Sequence, residues 1–186
     1  MAGWKEIRKI GFICDMNSRS GILSTMVREE LEKRGIRDVQ VWAAGMMNAG
    51  LEGKKLGSKY IDAATSLGYK TAGEYTRGHI ESEENVQNAK ESDLILTMDW
   101  GQKEHLLSDL RPAIPGIHKK VSTLKGKLSA SKAFFSRFQR YKTLTSVPDP
   151  YWEERLHNQD VHEAVVKQLH VMAVQIAEKI RKARRL

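Results

Sequence analysis

Apolar residues in this chain gather into short continuous runs, separated by stretches in which they recur at every third or fourth position. The first run, Ile10-Gly11-Phe12-Ile13-Cys14, leaves no polar face and predicts a buried strand over residues 7–14. Residues 21–34 follow with helical spacing, and Gly35 supplies the stop. A second strand is expected over residues 39–44 and a helix over 55–67, closed by Gly68. Residues 71–84 carry little apolar periodicity and read as loop. A short polar helix over 84–91 then leads into the apolar run 93–98, long enough for a buried parallel strand. Residues 101–110 read as helix, after which Pro112 and Pro115 break the chain. Val161, Val165, Leu169, Met172, Ile176 and Ile180 recur at helical spacing, so the chain closes on an amphipathic helix of some twenty residues.

Strands alternating with helices predict the α/β class: a doubly wound parallel sheet of about four strands with helices on both faces. Ligands of such sheets sit beyond the carboxyl ends of the strands, and Cys14 is at one such end. At 186 residues the expectation is a single domain, 1–186, with a basic insertion at about 116–146 that carries Phe134, Phe135 and Phe138. Hydrophobic content of 40% suffices for a core without disulfides, and one cysteine cannot form an internal one. A reducing, cytoplasmic setting is therefore expected, with no secretory leader and no membrane span. The net charge is +8, concentrated between Lys119 and Lys142 and again over Lys179–Arg185. No zinc-finger, RRM or helix-turn-helix pattern accompanies it, so a basic face attractive to phosphorylated partners is expected rather than a nucleic-acid partner.

The chemistry concentrates behind Cys14. A thiol where a strand passes into a helix meets backbone N–H groups and the positive end of the helix dipole, a field that favours an anion. Arg19 adds a bidentate fork for a tetrahedral oxyanion, and Asn17, Ser18 and Ser20 supply polar groups around it. A thiolate beside a phosphate cradle is the equipment for a phosphocysteine intermediate. Each feature has a plainer reading: Cys14 as an inert buried thiol, Asn17 and Ser18 as helix caps, Asp149 between two prolines as a turn former, Tyr151 and Trp152 as packing. The six histidines show no ligand spacing, and neither metal nor cofactor is expected.

The residues resemble the low-molecular-weight protein tyrosine phosphatase family over most of the chain. Four elements carry the likeness in order: the loop Cys14-Asp15-Met16-Asn17-Ser18-Arg19-Ser20, Ala43-Ala44-Gly45, Thr76-Arg77-Gly78-His79-Ile80 before the third strand, and Val147-Pro148-Asp149-Pro150-Tyr151-Trp152, which is similar to the family's acid loop. The resemblance implies that Cys14 attacks phosphorus while Arg19 grips two oxygens, Ser20 steadies the thiolate and Asn17 braces the loop. It implies further that Asp149 is proton donor and then water-activating base, with Tyr151 and Trp152 flanking the entrance. Ser18 would join the cradle.

Two departures stand out. Only four residues separate Cys14 from Arg19, where the family has five, and Met16 stands where the family has glycine. One lost charge-assisted donor is worth roughly 1.5–3 kcal/mol of oxyanion stabilisation. The expected function is metal-independent phosphomonoester hydrolysis, on phosphotyrosine in a protein or on a small phosphomonoester. The alternative is a non-catalytic phosphate- or phosphopeptide-binding protein on the same scaffold. Arginine phosphatase relatives share the scaffold and tend to carry a hydroxyl near the Ser18 position. An internal disulfide relay of the arsenate reductase kind is excluded, because no second cysteine is present; only an external thiol could complete such a cycle.

Overall fold

A computed structural model describes residues 3–47, 50–128 and 159–186. Four parallel strands form one sheet in the order β2-β1-β3-β4, with β1 at Lys9–Cys14, β2 at Gln40–Gly45, β3 at Leu94–Thr97 and β4 at Val121–Thr123. Ile10 pairs with Val41 on one side and Leu94 on the other, which places β1 at the centre. The helices are α1 (Arg19–Lys33), α2 (Ser58–Ser66), α3 (Glu83–Glu91), α4 (Trp100–Leu110), α5 (Leu124–Leu128) and α6 (Gln159–Arg184).

Because successive strand residues face opposite sides, β1 feeds two cores. Ile10, Phe12 and Cys14 join the helices α1, α2 and α6, whereas Ile13 packs with Trp42, Ile95, Leu106 and Leu107 on the other face. Gly11 lies under the Trp42 ring, where an added Cβ would come within 2.5 Å of it. That close approach explains a glycine in the middle of a central strand. Helix α1 is enclosed on nearly every side, and its residues from Arg19 to Val27 are all buried. It ends where Gly35, at φ +72°, lets Ile36 N–H donate to Leu31 O and Gly35 N–H to Glu32 O.

Most of the expected elements are present, with three shifts. Helix α1 begins at Arg19, and α2 begins only at Ser58, because Lys55 is drawn into a bridge with Thr76. Helix α6 runs for 26 residues. The start of the expected basic insertion is scaffold: Val121–Thr123 is the edge strand, and Leu124 and Leu128 are buried in the α6 core. A three-residue strand next to Lys119 and Lys120 has no alternation from which to be read. Residues 129–146 of that segment, with Phe134, Phe135 and Phe138, lie outside the described residues. Among the described residues no helix is long and apolar enough to cross a membrane.

A charged network locks α1 to α6. Glu30 accepts from Lys33 Nζ at 2.8 Å and from Arg34 Nη1 at 2.5 Å, and Arg34 Nε reaches Glu178 on α6 at 3.0 Å. Tyr69 OH lies 3.2 Å from Glu30 and 2.6 Å from His170 Nδ1. Burial raises the Glu30 pKa, but the bonds and charges of Lys33 and Arg34 outweigh it and hold the carboxyl below its usual range. A depressed folded-state pKa contributes stability above the unfolded value, near 4, and that contribution is lost as pH falls through the folded value. Glu30→Gln is therefore expected to destabilise the fold by about 2 kcal/mol at pH 7. Urea melts at pH 7 and pH 3 check it: the gap between variant and parent should narrow in acid.

Candidate active site

The C-terminal end of β1 delivers Cys14, 1% exposed, into a loop of four residues that runs into α1. Asn17 makes the turn in the left-handed region at φ +53°, a conformation that asparagine tolerates better than most residues. Its side chain is a hub. Asn17 Oδ1 accepts from Ser20 Oγ at 2.9 Å and from Tyr75 OH at 3.1 Å, while Nδ2 donates to Gly78 O at 3.1 Å. Both hydroxyls also have main-chain acceptors: Ala44 O is 3.2 Å from Ser20 Oγ, and Ala43 O is 3.0 Å from Tyr75 OH.

Ser20 is the residue nearest the sulfur chemistry. Its Oγ lies 3.1 Å from Cys14 Sγ, and its amide N–H points at the same sulfur over 3.5 Å. A hydroxyl donates only one proton, so the network has two self-consistent states. With a thiol, Sγ–H donates to Ser20 Oγ, which passes its own proton to Asn17 or Ala44. With a thiolate, Ser20 turns its proton onto the sulfur and Tyr75 O–H satisfies Asn17. Tyr75 remains a donor in both, since burial pushes its pKa well above the ordinary tyrosine value, helped by negative charge at Cys14. The loop can therefore bear the sulfur in either form without leaving Asn17 unsatisfied.

Ser18 occupies the N-cap position of α1, but its side chain makes no capping bond, so the expected cap is only positional. Arg19 is buried, 2% exposed, with Nη2 3.5 Å from Asp15 Oδ2. The structure thus brings Cys14, Asn17, Ser18, Arg19 and Ser20 together at one strand end. Asp149, Tyr151 and Trp152 lie outside the described residues.

Three contributors were given no role in the sequence analysis. Tyr75 belongs to a stretch read only as loop; its ring sits on Gly21, where an added Cβ would come within 2.6 Å. His79 accepts from Glu81 N–H at Nδ1, which leaves Nε2 to donate to Met46 O at 3.0 Å and tie down the chain after β2. Gln102, in the first turn of α4, donates to Asp15 Oδ2 at 2.7 Å. His79 belongs to the third family-like element and Tyr75 directly precedes it, which was the available signal; nothing comparable marked Gln102.

Gly45 shows how closely the loop is seated. A Cβ there would lie 2.8 Å from Asp15 O and 2.9 Å from Asn17 N, both backbone atoms that cannot swing aside. Gly45→Ala is expected to displace the loop by a fraction of an ångström and lower kcat/KM on phosphomonoesters on the order of 100-fold. Steady-state kinetics beside a melting curve would check it, with the kinetic loss exceeding the loss of stability.

Residues 9–186 match the family of low molecular weight phosphotyrosine protein phosphatases. The chain belongs to that family. Its four-stranded parallel sheet with flanking helices recurs in solved structures of phosphatases. The low molecular weight protein tyrosine phosphatase from T. tengcongensis is 20% identical at a TM-score of 0.69, covering 92% of this chain and 98% of that one. The YwlE arginine phosphatase from Geobacillus stearothermophilus is also 20% identical, at 0.67, with coverage of 94% and 93%. Vibrio vulnificus Wzb in complex with benzylphosphonate is 18% identical, at 0.67, with coverage of 93% and 99%. At these identities the likeness speaks for the fold. No curated protein matches the chain by sequence. Membership makes this chain a phosphatase of the hydrolase class.

Proposed function

We propose that the protein hydrolyses phosphomonoesters through a phosphocysteine on Cys14. The observation that carries this reading is the contact of Ser20 Oγ with Cys14 Sγ at 3.1 Å, in a loop held by Asn17 at a helix N-terminus. In the first step the Sγ lone pair forms the S–P bond as the P–O bond to the leaving group breaks. The leaving oxygen takes its proton from Asp149. In the second step the Asp149 carboxylate removes a proton from water, whose oxygen displaces the sulfur and releases phosphate with Cys14 restored. Arg19 and main-chain amides of the loop meet the charge on the equatorial oxygens, so the reaction needs no metal. Ser18 adds a hydroxyl at the rim, and Tyr151 and Trp152 offer stacking surface to an aromatic leaving group.

The leading substrate is phosphotyrosine in a protein, with small phosphomonoesters as simple analogues and the cytoplasm as the setting. Phosphoarginine is the variant suggested by Ser18 and by the arginine phosphatase among the fold neighbours. A second reading, a phosphate- or phosphopeptide-binding protein without turnover, is favoured by the short Cys14–Arg19 spacing and by the Asp15 carboxylate beside Arg19. Turnover of p-nitrophenyl phosphate, inhibited by orthovanadate and lost in Cys14→Ser, supports hydrolysis. Thermal stabilisation by orthovanadate without turnover supports the second reading.

A further inference from the structure

We propose that Asp15 is a built-in competitor for Arg19 that makes the cradle discriminate against doubly charged anions. This rests on reading Cys14–Ser20 as a phosphate cradle. Asp15 directly follows the sulfur-bearing residue, and its Oδ2 faces Arg19 Nη2 at 3.5 Å while accepting from Gln102 Nε2 at 2.7 Å.

The carboxylate is held from both sides. On the main chain, Asp15 O accepts from Met47 N–H at 2.8 Å, and Gly45 packs against that same oxygen. On the side chain, Gln102 is itself anchored: its Oε1 accepts from Met98 N–H at 3.1 Å, and its main-chain N–H donates to Asp99 Oδ1 at 2.8 Å. Asp15 therefore cannot withdraw by a simple rotation without breaking its bond to α4.

An oxyanion entering the cradle must share the Arg19 guanidinium with this fixed carboxylate. Like charges a few ångströms apart in a largely buried site repel far more strongly than in water. The repulsion scales with the ligand's charge, so a dianion loses more affinity than a monoanion of the same shape. Asp15 thus acts as a specificity residue that favours singly charged phosphoryl groups over doubly charged ones, so a phosphomonoester such as phosphotyrosine binds best as its monoanion, below its second pKa of about 6.

The test uses the full chain in a Cys14→Ser background, so that binding is read without turnover. Calorimetric titration at low ionic strength compares sulfate, a tetrahedral dianion, with methyl sulfate, its monoanionic relative. Asp15→Asn, which keeps the shape and the partnership with Gln102, is expected to tighten sulfate by about tenfold or more and methyl sulfate by distinctly less. Unchanged or weaker sulfate binding overturns the proposal, as does an equal gain for both ligands, which would place the effect in shape rather than charge. If the asparagine variant does not fold, Asp15→Ser carries the same expectation; failure of both to fold would make the carboxylate a structural support and overturn it. Absence of sulfate binding in parent and variants alike would overturn the cradle reading as well, whereas binding indifferent to Asp15 overturns this inference alone.

Discussion

Replacing Cys14 by serine is expected to lower p-nitrophenyl phosphate turnover by about 1000-fold or more while leaving orthovanadate binding measurable. The change exchanges sulfur for oxygen in a side chain that is 1% exposed and otherwise isosteric, so the fold should survive it. What disappears is the nucleophile: a serine hydroxyl keeps its proton at neutral pH and is a far weaker nucleophile than a thiolate. The neighbours keep their geometry, because Ser20 Oγ can bond to an oxygen as well as to sulfur and Asn17 is held independently by Gly78 and Tyr75. Rapid quenching of the parent should trap phosphate on Cys14, and the serine variant should show no such burst. Turnover equal in both proteins would sink the hydrolase mechanism and leave anion binding as the function of the loop.

Asp149→Ala is expected to separate substrates by leaving group. A poor leaving group such as an alkyl alcohol departs as a strong base unless it is protonated, and general acid catalysis of that step is worth about 100- to 10,000-fold. An activated phenol with a low pKa leaves nearly unaided. Turnover of an alkyl or unsubstituted phenyl phosphate should therefore fall by about 100-fold or more, and that of p-nitrophenyl phosphate by far less. A plot of log kcat/KM against leaving-group pKa should steepen in the variant. Equal losses along the series would remove Asp149 from the role of proton donor and return it to shaping a turn between Pro148 and Pro150.

Much of the architecture was legible because continuous apolar runs as short as residues 10–14 and 94–98 suit buried strands rather than helices, and amphipathic repeats such as that of α6 have only one face to bury. Boundaries were less legible. Lys55 looked helical until its bridge to Thr76 is seen, and β4 is too short and too basic in its surroundings to announce itself. In the candidate site, the order of cysteine, asparagine, arginine and serine was enough to single out the loop between β1 and α1. Two supports of that loop, Tyr75 on Asn17 and Gln102 on Asp15, come from 58 and 87 positions away in sequence, and no local pattern links them to Cys14.

Sequence alone determined the class of fold, the strand end that carries Cys14 and the residue types available there, since these follow from local periodicity and from the order of side chains along a single loop. Only the tertiary structure decided what surrounds that loop: the left-handed Asn17 as a hub, the glycine at position 45 on which the loop rests, and a carboxylate facing Arg19. Those depend on distances between segments far apart in the chain, set by how the sheet and its helices pack.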